Sequence, residues 1–194
     1  MNELLKMTAH QIKEGKFDKV ILAIGSCEAH GQHLAEGCDT IVSYELSKQV
    51  ADRVPGMLVL PPITVGYSGH YDTFPFTLTF DYETMIHVIY DIVESVLRNG
   101  INKIFLMNGH DGNIAPIEIA ARKIKEKYPD ARIASLPEWW VIAGKLVPEG
   151  TFKVWNGLGH AGEGESSIAY HLFPQWCEPD QATCVVPDHL PEHV

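Results

Sequence analysis

Three short stretches of this 194-residue chain concentrate imidazole, carboxylate and glycine. The first is Gly25-Ser-Cys-Glu-Ala-His-Gly-Gln-His-Leu-Ala-Glu-Gly-Cys-Asp39, which crowds Glu28, His30, His33, Glu36 and Asp39 together. The second is Asn108-Gly-His-Asp-Gly-Asn113 and the third Gly159-His-Ala-Gly-Glu-Gly-Glu165. Imidazole nitrogen and carboxylate oxygen together suit zinc, manganese or iron. Glycine lets the backbone turn tightly and approach a ligand. Glu28 and His30 are two apart, so in an extended segment they share a face and could serve two adjacent ions. Each cluster also has an ordinary reading. Asp39 makes a good helix N-cap, Asn108-Gly109 a plain turn, and a lone loop histidine is usually solvated. His10, His87, His171, His189 and His193 take that last reading. Three such clusters together favour a metal site over coincidence, although none is as specific as a four-cysteine zinc pattern.

The elements that must position these residues follow from hydrophobic periodicity. Short apolar runs predict strands over 19–24, 57–60, 103–107 and 131–135. Helical spacing predicts helices over 8–14, 40–53, 81–99, 114–127 and 163–172, with Thr8 and Asp81 as N-caps and Gly15 and Gly100 beyond the C-termini. Strands alternating with helices predict an α/β fold with a mostly parallel sheet covered on both faces. Ligands of such sheets sit beyond the carboxyl ends of the strands, which is where the three clusters fall. One domain over 1–194 is expected, since no repeat, linker or low-complexity tract interrupts the chain.

Composition narrows the partners. With 15 basic and 25 acidic residues the formal net charge is −10, so nucleic-acid binding is disfavoured. No apolar run reaches the ~20 residues of a membrane span, and the start lacks a signal-peptide core. A cytoplasmic protein with no membrane partner is expected. Cys27, Cys38, Cys177 and Cys184 form no C-x-x-C pair and read as small buried thiols.

The motifs resemble the creatininase (creatinine amidohydrolase) family. They are Glu28-Ala-His30-Gly-Gln-His33-Leu, Asp39, Asn108-Gly-His110-Asp-Gly-Asn113 and His160-Ala-Gly-Glu-Gly-Glu165-Ser. Gly66-Tyr-Ser-Gly-His70 followed by Phe74-Pro-Phe-Thr-Leu78 is similar to the family's second loop. The resemblance runs from about Val20 to Leu172. It implies a creatininase-like three-layer α/β/α fold, often a hexamer, and a two-metal hydrolase. By position, Glu28 and His110 would bind one ion, His30 the other, and Asp39 would bridge them. The resemblance further implies cleavage of a non-peptide C–N bond (amide, cyclic amide or formamide) by a bridging hydroxide, in a small polar substrate. Relatives also trim a modified peptide, and one opens an inosose ring.

Two departures stand out. Gly112 replaces a metal-binding glutamate of the creatinine-opening enzymes, which puts creatinine in doubt and makes Glu165 the candidate replacement ligand. Phe76 replaces a glycine. The chain also ends at Val194, short of most relatives. His160 is expected to carry a proton to the leaving nitrogen, with Glu163 and Glu165 as further acid–base candidates. His33 is expected to orient a ligand. Ser68, His70, Asp111, Trp139 and Trp140 are candidate substrate contacts, and Trp155 is read as packing or as a wall for a planar substrate. Trp139 and Trp140 look exposed in sequence, which suits an oligomer interface. The competing classes are a hydrolase of a cyclic sugar ketone and a non-catalytic Rossmann-like binding module. The latter leaves the Glu28, His30, Asp39 and His110 set unexplained, and the chain has no G-x-G-x-x-G loop.

Overall fold

Four runs of apolar residues pair as strands in the computed structural model, which describes residues 2–154 and 157–184. Trp155, His189 and His193 lie outside the described residues. The chain divides into two compact units, 1–29 with 36–139, and 30–35 with 140–194.

In the first unit β1 (Lys19–Ile24), β2 (Met57–Val59), β3 (Lys103–Asn108) and β4 (Arg132–Leu136) form one parallel sheet in the order β2-β1-β3-β4. Parallel neighbours require crossovers. These are α2 (Cys38–Arg53), α3 (Tyr82–Arg98) and α4 (Ile114–Lys127), with α1 (Ala9–Glu14) ahead of the sheet. Alternate strand residues point to opposite faces. Val20, Leu22 and Ile24 of β1 pack with Met85, Ile89 and Val93 of α3 and Ile117, Ala120 and Ile124 of α4. Ile21 and Met107 pack on the other side with Ala51 of α2. Helices therefore cover both faces, which is why β1 is apolar throughout rather than alternating.

Local signals set most element ends. Thr8 and Gln11 form a capping box at α1, Asp81 Oδ1 accepts the Thr84 N–H at 2.6 Å at α3, and Gly100 follows α3 with φ of 86°. Several boundaries differ from expectation by one or two residues. β2 ends at Val59, β3 runs on to Asn108, β4 is shifted one residue onward, and α2 begins at Cys38. Gly37 is the N-cap of α2, so Asp39 sits in its first turn and is not the cap. One helix was not anticipated, α5 (Trp139–Leu146). Its sequence WWVIAGKL is apolar nearly all round and offers no polar stripe to mark a 3.6-residue period.

Trp139, the first residue of α5, belongs to the first unit and is 6% exposed, which corrects its reading as exposed; Trp140 is half-buried. The second unit carries α6 (Glu163–Leu172), whose Ala169 is fully buried together with the following Phe173. Segment 30–35 turns back on itself through a His30–Leu34 bridge, and the His33 carbonyl accepts the Glu178 N–H at 2.8 Å. All four cysteines are free thiols. Among the described residues no helix is long and apolar enough to cross a membrane.

Candidate metal centre

Strand order places a switch point between β1 and β3. The chain leaves β1 for α2 on one face and leaves β3 for α4 on the other, so a crevice opens at their carboxyl ends. Glu28 follows β1, His110 follows β3, and Asp39 stands in the first turn of α2. Glycine makes this convergence possible. A Cβ on Gly25 would lie 2.3 Å from Thr40 Cα, and one on Gly109 would lie 2.3 Å from the Asp39 carbonyl oxygen. Any side chain at either position would push the strand ends off the N-terminus of α2.

The three side chains are almost wholly buried: Glu28 is 0%, Asp39 4% and His110 4% exposed. His110 Nδ1 lies 3.2 Å from Glu28 Oε1 and 3.0 Å from Asp39 Oδ2. Asp39 Oδ2 also accepts the Ser26 hydroxyl at 2.7 Å. On the other side of the ring, Nε2 lies 2.7 Å from the Tyr67 carbonyl oxygen. A carbonyl can only accept, so Nε2 carries a proton and Nδ1 is the atom turned to the carboxylates. Burial opposes a charge on this ring, but hydrogen bonds to Asp39 and Glu28 overcome it and push the pKa up to about 10. Two carboxylates withdrawn from water thus converge on one point and hold a cationic ring there. The α2 dipole adds a favourable field for Asp39.

Two buried asparagines brace this arrangement. Asn108 Nδ2 donates to the carbonyls of His110 at 2.6 Å and Pro137 at 2.9 Å, and its Oδ1 accepts the His110 N–H at 3.2 Å. Asn113 Oδ1 accepts the Tyr67 N–H at 3.0 Å, and its Nδ2 donates to the Gly25 carbonyl at 2.9 Å. Sequence reasoning included Asn113 and Tyr67 in its motifs but gave them no role, and for Asn108 it offered a turn as the ordinary alternative. The available signal was an amide on each side of His110 in a loop closing a buried strand, where polar groups must find partners.

The remaining residues of the first unit fall into place around this trio. His70 is exposed, with its ring parallel to that of His110, at 4° and 5.6 Å between centroids. Glu28, His70 and His110 offer ligand atoms all within 4.8 Å of one another. Ser68 is fully buried with Oγ 3.5 Å from His110 Nε2, while Asp111 is exposed. Gly112 has no room for the side chain it lacks. A Cβ there would lie 2.2 Å from the Tyr67 carbonyl oxygen and 2.6 Å from His110 Nε2.

The second unit holds the other candidates. His30 is fully buried, and its ring centroid lies 4.3 Å from that of His160. His30 offers a nitrogen within 4.8 Å of one on His160, and likewise of a Glu165 carboxylate oxygen. Glu165 Oε2 accepts the Ala161 N–H at 2.6 Å. His33 Nε2 meets the Ser166 hydroxyl at 2.9 Å. Burial, and then the neighbouring His30, lower the His33 pKa and favour the neutral ring. Ser166 was not anticipated. Glu163 Oε2 accepts the N–H groups of Lys153 at 2.7 Å and Val154 at 2.8 Å, tying one oxygen to the chain ahead of α6.

Comparison with known proteins identifies the family. The creatininase family, described as creatinine amidohydrolase, matches residues 5–194. A creatinine amidohydrolase of Pseudomonas putida is 30% identical over 187 residues, covering 89% of this chain and 69% of its own. A mycofactocin precursor peptide peptidase of Mycobacterium ulcerans (strain Agy99) is 26% identical over 183 residues, covering 90% of this chain and 66% of its own. A manganese creatininase structure superposes with a TM-score of 0.80 at 27% identity, covering 98% of this chain and 80% of its own. A zinc–zinc form of a creatininase mutant gives the same TM-score of 0.80 at 28% identity, over the same 98% and 80%. With the three-layer fold, the ordered motifs and the match over nearly its whole length, the chain belongs to the creatininase family of C–N hydrolases.

Proposed function

We propose that this chain is a metal-dependent amidohydrolase that cleaves a non-peptide C–N bond, in an amide, cyclic amide or formamide, of a small polar substrate. The observation that carries this reading is the buried Glu28, Asp39 and His110 trio. Two carboxylates out of water demand a cation, and His110 Nδ1 stands 3.2 Å from Glu28 and 3.0 Å from Asp39 at the point where they converge. Oxygen, oxygen and imidazole nitrogen form a donor set for zinc, manganese or iron. Glu28, Asp39 and His110 would hold one divalent ion. The family resemblance assigns a second ion to His30, of the second unit, and Glu165 is the candidate to stand in for the ligand missing at Gly112.

Bound divalent ions supply a water acidic enough to ionise near neutral pH and an electrophilic hold on the substrate carbonyl. The protein's own groups prepare that chemistry. Tyr67 and Asn108 hold the His110 ring and backbone, and Ser26 orients Asp39. Of the side chains expected to move protons, Glu163 Oε2 accepts two backbone N–H groups and Glu165 Oε2 accepts one, and His160 remains the first candidate with Glu163 and Glu165 behind it. Ser68, His70, Asp111 and Trp140 remain the proposed substrate contacts. Trp139, also expected to contact substrate, is buried. Homo-oligomeric, hexameric assembly and a cytoplasmic setting belong to the same proposal.

The test is a substrate panel run on metal-stripped protein reconstituted with Zn²⁺, Mn²⁺ or Fe²⁺. Formamides, cyclic amides including creatinine, a peptide amide and inososes would be compared. Metal-dependent turnover of a C–N substrate is expected. Turnover of inososes alone would replace this reading with ring opening of a sugar ketone, and no metal uptake would sink both.

A further inference from the structure

We propose that His70 is a metal ligand, joining Glu28 and His110 on the ion of the first unit. The inference rests on the metal-dependent reading above and adds a donor to that ion. The sequence suggests substrate contact for His70, but the fold draws its ring up beside two buried ligands. A nitrogen of His70, a nitrogen of His110 and an oxygen of Glu28 all lie within 4.8 Å of one another. Two donors on one zinc ion, each bonded at about 2.0–2.1 Å, stand at most ~4 Å apart, so a small inward shift closes the set. Glu28 and His110, 0% and 4% exposed, have little freedom to supply that shift. His70 is exposed and has it. With Asp39 the ion would have four protein donors, two carboxylates and two imidazoles. Water then enters as a fifth, a coordination number that catalytic zinc reaches.

The backbone that carries His70 is tied to the centre itself. Tyr67 is held at both of its main-chain groups. Its N–H donates to Asn113 Oδ1 at 3.0 Å, and its carbonyl accepts from His110 Nε2 at 2.7 Å. The N–H of fully buried Ser68 donates to Thr79 Oγ1 at 2.8 Å, and the Ser68 carbonyl accepts the Tyr71 N–H at 2.9 Å. That last bond spans the short 3-10 turn Gly69–Tyr71 on which His70 sits. The His70 ring then lies 5.6 Å from that of His110, within 4° of parallel, and 4.4 Å from that of Tyr71. The loop after β3 has no room for a donor at position 112, because a Cβ on Gly112 would meet the Tyr67 carbonyl oxygen at 2.2 Å. The segment that fills this room is the one that brings His70.

The experiment is a Zn²⁺ titration of the metal-free protein against a chelator of known affinity, for the wild type, His70→Ala and His70→Gln. His87→Ala, an exposed position on α3, is the control. Both His70 variants are expected to hold one ion at least ~10- to 100-fold more weakly than the wild type, the loss that follows from disturbing even the groups behind a ligand. His87→Ala should match the wild type. Loading His70→Cys with Co²⁺ gives a second readout. Thiolate is a metal ligand, so a thiolate-to-cobalt charge-transfer band should appear that the wild type and His87→Cys lack. Wild-type affinity in folded His70→Ala or His70→Gln would overturn this inference alone and return His70 to substrate contact, as would a His70→Cys spectrum no different from that of the wild type. A wild type that binds no ion would overturn the proposed function together with it.

Discussion

Replacing Gly112 with alanine probes the centre of the first unit with a single methyl group. The added Cβ would lie 2.2 Å from the Tyr67 carbonyl oxygen, which is 0.8 Å inside the 3.0 Å limit that real Cβ contacts respect, and 2.6 Å from His110 Nε2. The first clash is with backbone, so it is not relieved by a rotamer change. Either the loop after β3 or the 67–68 segment must move, and the Nε2–H to Tyr67 hydrogen bond of 2.7 Å lies directly between them. Overpacking of this kind costs about 1–3 kcal/mol. For a chain of this length that is a fall in Tm of roughly 2–12 °C. If His110 is a ligand as proposed, losing the carbonyl that orients it should also weaken metal binding by ~10- to 100-fold. Thermal unfolding of the metal-free protein reads the first effect and a chelator-competition titration the second. If Gly112→Ala kept both the wild-type Tm and the wild-type affinity, the described packing of Tyr67 on His110 would be wrong.

Asp39→Ala should abolish binding of the first-unit ion, measured by elemental analysis after desalting; retention of a full complement would remove Asp39 from the ligand set. Leu106→Ala, at a fully buried position of β3, should destabilise by about 2–5 kcal/mol in urea unfolding, and a smaller loss would mean that the α3 and α4 face collapses around the gap. Glu94 accepts from Lys127, Tyr128, Tyr90 and Arg98, and chiefly the Lys127 bond lowers its pKa from 4.5 to about 2. A lowered carboxylate pKa stabilises the fold above its unfolded value and is lost as pH falls through the folded one. Glu94→Gln should therefore have a lower Tm than the wild type at neutral pH, with the gap closing between about pH 5 and pH 2; a gap unchanged at low pH would contradict the pairing. Light scattering at micromolar concentration should report an oligomer, and a monomer would remove the hexamer from the proposal.

Much of this molecule is local in origin. The runs at β1 and β3 are apolar because helices cover both sheet faces, and this burial is visible in sequence as unbroken Val, Ile and Leu. Capping by Thr8 and Asp81 and termination at Gly100 depend on neighbours within four residues, so those ends were legible. So were the elements that carry Glu28, Asp39, His110 and Glu165, because strand ends in a parallel sheet are where ligands gather. The starts of α2 and α5 were not. Gly37 caps α2 without a side chain, and α5 has no polar face to reveal its period.

Other features exist only through contacts between residues far apart in the chain. The proton on His110 Nε2 is received by a carbonyl 43 residues away, and the Gly25 carbonyl is met by an amide 88 residues further on. Segment 30–35 groups with 140–194 rather than with the strand it follows, and His33 reaches Ser166 across 133 residues. Spacing identifies which side chains can bind metal or move protons. Which nitrogen is turned to which carboxylate, and whether a Cβ has room at position 112, depend on atoms that only the folded backbone brings within reach.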